Sequence, residues 1–152
     1  MARRAEQSPL KMRRVRLADA PRLAELTGQL GYPTTTKEML QRLRRVLKER
    51  HGACFVATKS GDRDVIGWIH VSVQPLLEVP ARAEINGLVV DETIRSQGAG
   101  RLLLEAAETW ARKKGAKSMS VRSNVLRERA HQFYERNAYE HYKTQKAFRK
   151  PL

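Results

Sequence analysis

Apolar positions recur along this chain at two periods, and their alternation predicts an α/β fold. Leu23, Leu26 and Leu30 follow at helical spacing behind Asp19, a candidate N-cap, and Pro21 in the first turn. Gly31 and Pro33 stop that helix. The Thr34–Thr36 cluster opens a second, with Met39, Leu43, Val46 and Leu47 on one side and mainly arginine and lysine on the other. A short strand is expected near 12–17. Residues 53–58 and 64–73 read as strands joined by a turn at Ser60-Gly61-Asp62. In the second of these, Val65, Ile69, Val71 and Val73 alternate with Ile66, Trp68, His70 and Ser72. A loop holding Pro75 and Pro80 leads to another strand at 83–90.

From that strand the chain runs through Asp91–Gln97 into Gly98-Ala99-Gly100 and a long helix with Leu103, Ala106, Ala107 and Trp110 as its buried stripe. Gly115 ends the helix. A strand at 117–122, a helix near 127–136 and an extended stretch from 139 complete the pattern. Strand, glycine loop, helix and strand make a right-handed crossover, so 83–90 and 117–122 should be parallel. The earlier, hairpin-joined strands should be antiparallel, and the sheet is therefore mixed.

Length and composition narrow this picture. At 152 residues one domain is expected, 12–152, behind a disordered basic leader at 1–11. With 41% hydrophobic and 30% charged residues the profile is that of a soluble globular chain. No apolar run approaches the ~18 residues of a membrane span. The basic N-terminus lacks the apolar core of a signal peptide, so a cytoplasmic location is expected. Cys54 is the one cysteine, which excludes an internal disulfide and a cysteine-based zinc site. No His, Asp and Glu spacing suggests a metal.

Charge is the unusual number. Thirty Lys+Arg against 16 Asp+Glu give +14, a field that favours anionic partners. The basic side chains gather in 1–16 and 37–50, whereas 78–92 carries Glu78, Glu84, Asp91 and Glu92 against Arg82 alone. That acidic segment could supply negative potential at an acceptor cleft. Basic aromatic platforms are missing, which disfavours a nucleic-acid partner.

The segment Arg95-Ser96-Gln97-Gly98-Ala99-Gly100 places glycines where a strand hands over to a helix. Free amides of a first helical turn, helped by the helix dipole, suit phosphate oxygens, and Arg95 adds charge at the mouth. No Gly-Lys-Ser/Thr follows, and Leu103 stands where a third dinucleotide-binding glycine would be. Nucleotide hydrolysis and hydride transfer are thereby disfavoured.

Val89-Val90-Asp91, then Arg95-x-x-Gly-x-Gly and a Leu-Leu helix, resembles the acetyl-CoA signature of the GCN5-related N-acetyltransferases. Ala130-His131-Gln132-Phe133-Tyr134-Glu135-Arg136 resembles that family's Ala-x-x-Phe-Tyr helix. The resemblance covers about 12–152. Ser123-Asn124 and the ending from Tyr139 look closest to the aminoglycoside 6′-N-acetyltransferase branch. Two positions depart from the pattern. Arg127 stands where many members have Asn, so Asn124 would have to supply that cofactor contact. Ala138 replaces a usual Gly, and Asn137 is expected to adopt the left-handed conformation instead.

The resemblance implies a central mixed, mostly antiparallel sheet whose one parallel pair forms a V-shaped cofactor cleft, flanked by about four helices. It also implies transfer of acetyl from acetyl-CoA directly to a primary amine in a ternary complex, with a small-molecule amine as acceptor. Amides of Gln97, Gly98, Ala99, Gly100, Arg101 and Leu102 would cradle the pyrophosphate. Backbone groups of Leu88, Val89 and Val90 would bind the pantetheine arm as an added strand. Asn86-Gly87 reads as a bulge that splays this strand open, and Asn124 and Ala130 would touch the cofactor. Tyr134 is the candidate general acid and Glu84 the candidate base acting through a water, with His70 and His131 as alternatives. Homodimerisation through C-terminal strands is an expectation of the resemblance only. A binding module without chemistry, a basic nucleic-acid binder and a protein or peptide N-acetyltransferase are the competing readings.

Overall fold

A computed structural model describes residues 9–59, 61, 63–95 and 97–152. Residues 1–8 of the expected leader, and Ser60 and Asp62 of the expected turn, lie outside the described residues. The chain divides into two compact units, the residues up to Arg122 and Ser123–Leu152.

The first unit holds one sheet in the order β1-β2-β3-β4-β5. Its strands are β1 (Lys11–Arg14), β2 (Gly52–Lys59), β3 (Asp64–Gln74), β4 (Arg82–Val90) and β5 (Met119–Val121). The first three pairings are antiparallel and β4–β5 is parallel, as the crossover through α3 (Ala99–Lys113) requires.

Helices α1 (Ala20–Gln29) and α2 (Thr36–Val46) bury Leu23, Leu26, Met39 and Leu43 in a cluster with Cys54, Val56, Val65 and Val89. Helix α3 buries Ala99, Leu103, Leu104, Ala107, Trp110 and Ala111. Ala106 is only half-buried, so the stripe is rotated toward Leu104 and Ala111 relative to the expected one. The α2 start is a full capping box, with Thr35 Oγ1 accepting from the Glu38 amide and Glu38 reaching back to the Thr35 amide. Asp19 does not cap α1. Its carboxylate is bound by two Arg13 nitrogens at 2.8 Å and by the Arg16 amide at 2.8 Å, which ties β1 to a 3-10 turn at Leu17–Asp19.

The strict alternation expected along β3 fails at one residue. Ala57 pairs with Gly67 but Thr58 with Val65, so Ile66 is bulged and the faces exchange there. Val65 and Trp68 therefore both pack against the α1–α2 cluster. Gly67 lies under α3, where an added Cβ would sit 2.8 Å from the Val89 carbonyl oxygen and 3.1 Å from Leu103. Only glycine fits that crossing.

In the second unit, α4 spans Glu128–Arg136 and no strand is formed from 139 onward. The expected C-terminal strands are thus not present among the described residues. Asn137 has φ −99° and Ala138 takes the left-handed conformation itself, at φ +66°. Asn137 instead donates from Nδ2 to the Phe133 carbonyl at 2.8 Å, a bond its neighbour could not make.

Candidate active site

β4 is the axis of the site. Its pairing with β3 runs to Val90, while its pairing with β5 stops at Ile85 opposite Val121. Between them the β3 register steps from His70↔Gly87 to Val71↔Ile85, leaving Asn86 bulged. Asn86 Nδ2 donates to Ser72 Oγ at 2.9 Å and pins the bulge. Beyond it, Gly87, Leu88, Val89 and Val90 keep their ladder with β3 on one side only. An unpaired strand edge of this kind is a template for an extended chain carrying amide groups.

The far end of β4 leads to the second element. Gly98 has φ +87° and ψ 2°, which turns the chain into α3, and an added Cβ there would meet nothing within 4 Å. The first amides of an α-helix have no intrahelical acceptor. Leu102 is the residue whose amide is already taken, by the Gly98 carbonyl at 3.1 Å. The first-turn amides before it are those of Ala99, Gly100 and Arg101, with Gln97 and Gly98 exposed at the approach. Arg95 is exposed beside them.

The connecting loop is held by residues that carry no local sequence signal. Asp91 accepts from the Thr93 amide and hydroxyl at 3.0 Å each and from Arg22 of α1, whose Nε also donates to the Val65 carbonyl at 2.9 Å. Gln29 Oε1 accepts from the Glu92 amide at 3.0 Å. These bonds, the Thr93 amide foremost, hold the Asp91 carboxyl at about 2. Because the folded value lies below the ordinary 3.8, this stabilisation is complete above pH ~4 and lost as pH falls toward 2. Asp91→Ala should cost about 2 kcal/mol in urea unfolding at pH 6, and the gap should narrow by pH 2.5. A gap of equal size at both pH values would contradict the assignment.

On the face covered by α1 and α2, β2, β3 and β4 contribute Cys54, Trp68, His70 and Asn86 to a cavity of about 600 Å³. The Trp68 ring lies over Gly87, where a Cβ would come within 2.6 Å of it. Burial lowers the His70 pKa below its ordinary value, so the ring is neutral at pH 7. Cys54 is buried and its thiol is pushed up to about 12, chiefly by desolvation, which disfavours the thiolate form.

Glu84 is buried at 6% exposure but does not line this cavity. Its Oε2 accepts from Ser120 Oγ at 2.5 Å and its Oε1 lies 3.4 Å from Arg122 Nε. The acids of the segment 78–92 likewise do not line the cavity. Asp91 is spent on Arg22, Glu84 on β5, and neither Glu78 nor Glu92 is among the lining residues.

In the second unit, Tyr134 packs edge-on against Phe133 and Tyr139, with ring centroids at 5.2 and 5.6 Å. Burial pushes its phenol up to about 12, with Arg127 pulling in the opposite direction. The Asn124 side-chain oxygen accepts from the Leu126 amide at 2.9 Å, so Nδ2 is the group it can offer a ligand. His131 Nε2 is 2.9 Å from the Asn124 carbonyl oxygen, which orients the ring. Ala130 is half-buried on α4.

A mixed sheet opened at a bulge beside a glycine-turned helix N-terminus defines the class: a fold that binds an extended, phosphate-bearing acyl carrier. The family model "Acetyltransferase (GNAT) family" matches residues 20–139, and the chain belongs to that family. It is an acetyl-transferring acyltransferase, with acetyl-CoA as cosubstrate. The chain is 27% identical over 139 residues to the aminoglycoside N(6′)-acetyltransferase type 1 of Stenotrophomonas maltophilia, covering 89% of each chain. A 50-residue stretch is 44% identical to the uncharacterized N-acetyltransferase YhdJ of Bacillus subtilis strain 168, covering 33% of this chain and 35% of that one. In fold it is similar to the aminoglycoside N-acetyltransferase AAC(6′)-Iy in complex with CoA, with TM-score 0.85 and 18% identity over 97% of this chain and 99% of that one.

Proposed function

We propose that the protein moves an acetyl group from acetyl-CoA directly to a small primary amine, with both substrates bound at once. The observation that carries this reading is the release of β4 from β5 at the Asn86 bulge, next to the free amides of α3. The Leu88, Val89 and Val90 backbone would take the pantetheine arm, and the amides of Ala99, Gly100 and Arg101 the pyrophosphate. Arg95 and the +14 field favour a carrier with several phosphate charges. Bound acetyl-CoA supplies the acetyl group as a thioester, already activated for attack by an amine.

The residues of this chain then have three tasks. A backbone N–H beyond the bulge polarises the carbonyl; one such donor is worth about 2.7–4 kcal/mol in acyl transfer. Tyr134 holds its proton throughout the working pH range and donates a hydrogen bond to the departing sulfur, which leaves as the thiolate. His70, neutral and in the cavity wall, receives the proton of the acceptor amine. The competing base is Glu84 acting through a water, and the competition favours His70 because both Glu84 oxygens already have partners.

Gly98→Val tests the cradle. A β-branched residue resists the left-handed backbone while the space around the position stays open. Acetyl-CoA affinity measured by calorimetry should fall at least about tenfold, a loss of roughly 1.4 kcal/mol, while the melting temperature falls by only the few degrees that about 1–2 kcal/mol of backbone strain gives. An unchanged affinity would remove the glycine loop from the binding site.

A further inference from the structure

The cavity named above has a composition that selects its occupant. Leu23 of α1, Leu30 at its C-cap and Met39, Leu43 and Val46 of α2 form one wall, and Trp68 with the sheet forms the other. Among the described residues that line it none is an aspartate or a glutamate, and the one of fixed charge is Arg42. Its guanidinium stays at the helix surface, donating to Thr34 Oγ1 at 3.0 Å and lying 3.8 Å from Glu38. Tyr32 is at the rim, 68% exposed, on the turn that joins the two helices.

We infer that this cavity holds the acceptor, and that the acceptor is a primary amine carrying one positive charge on an apolar, aromatic-sized body. The inference rests on the acetyltransferase reading and narrows its substrate class. An amine attacks as the free base, so a monoamine that has released its extra proton to solvent brings no charge of its own into the apolar wall, and His70 takes the proton set free as the new N–C bond forms. A polyamine or an aminoglycoside keeps further ammonium groups. Here they would find no carboxylate, a guanidinium of their own sign and a wall of leucine, methionine and valine. The flat Trp68 ring, seated over Gly87, offers a face for an aromatic body. At about 600 Å³ the space is of ordinary small-ligand size.

Two readouts test this. The first is binding without turnover, in a Trp110→Phe background where Trp68 is the one tryptophan left. Titrated 2-phenylethylamine should shift Trp68 emission saturably, and spermidine should not. The second is coenzyme A release from acetyl-CoA with 2-phenylethylamine, tryptamine, spermidine and neamine. The two aralkyl monoamines should exceed the two polycations at least tenfold in kcat/KM. Val46→Glu, at a half-buried position of the wall, should lower that ratio at least tenfold; Leu30→Trp, which fills the space without adding charge, should weaken every acceptor. Melting temperatures identify any variant that fails to fold, and the wild-type ratio stands as the test without it.

Spermidine or neamine turned over as well as the monoamines would overturn the inference and leave the acetyltransferase standing. So would turnover of peptides alone, or saturable monoamine binding with no acetylation. Failure of acetyl-CoA to bind, with no coenzyme A released to any amine, would remove the acetyltransferase reading and this inference with it.

Discussion

Tyr134→Phe is expected to lower kcat by about ten- to a hundredfold while acetyl-CoA affinity stays within about twofold. That range corresponds to roughly 1.4–2.7 kcal/mol of barrier, the scale of one well-placed donor. The phenol is held at about 12, so it stays protonated wherever the enzyme is assayed. A thiol near ~8.5 is the stronger acid, so in the proposed reaction the phenol keeps its proton and donates a hydrogen bond as charge builds on sulfur, which leaves as the thiolate. It follows that no basic limb of the kcat profile belongs to Tyr134 below pH ~11. Phenylalanine keeps the ring contacts with Phe133 and Tyr139, so a large fall in stability is not expected. An unchanged kcat would remove the tyrosine from the chemistry and leave it a packing residue.

His70→Ala is expected to lower kcat/KM about a hundredfold at pH 7 and to abolish the acidic limb of the pH profile. Desolvation depresses the histidine, so in the native enzyme that limb lies below the ordinary histidine value of 6.5. The sign follows directly: as pH falls through the lowered value the ring becomes protonated and can no longer take the amine's proton. Glu84→Gln is the counterpart. If the carboxylate works through a water, the glutamine variant loses the acidic limb and His70→Ala retains it. Glu84→Gln also weakens the tie to Ser120 and Arg122, so it must be read in pH dependence rather than in rate alone.

Much of this architecture is legible in the sequence because the signals are local. The strands at 53–58, 64–73 and 83–90 are each found within a residue or two of β2, β3 and β4, since period-two burial and flanking turn residues are short-range facts. The bulge at Asn86-Gly87 is legible for the same reason, and so is the glycine turn into α3. What the sequence withholds is set by pairing at a distance. Asp19 looks like a helix cap, but Arg13 and the Arg16 amide take its carboxylate. Asp91 looks like a loose acidic loop residue, yet Arg22, 69 positions earlier, claims it. Glu84 looks free to act as a base until Ser120 and Arg122 are brought beside it by the parallel pairing of β5. The Ile66 bulge exchanges the faces of β3 and carries no local mark in a run where both faces are apolar. The acceptor cavity is the least legible feature of all. Its character comes from which acids are absent once α1, α2 and three strands are assembled, and segment charge along 78–92 points the other way.

The most direct test of the central claim is chromatographic measurement of coenzyme A released from acetyl-CoA, with and without 2-phenylethylamine, paired with mass measurement of the amine. Release is expected to depend on the amine and to match N-acetylated product one for one, with background hydrolysis alone when the amine is omitted. Release independent of the amine, or no release from a protein that binds acetyl-CoA, would contradict it.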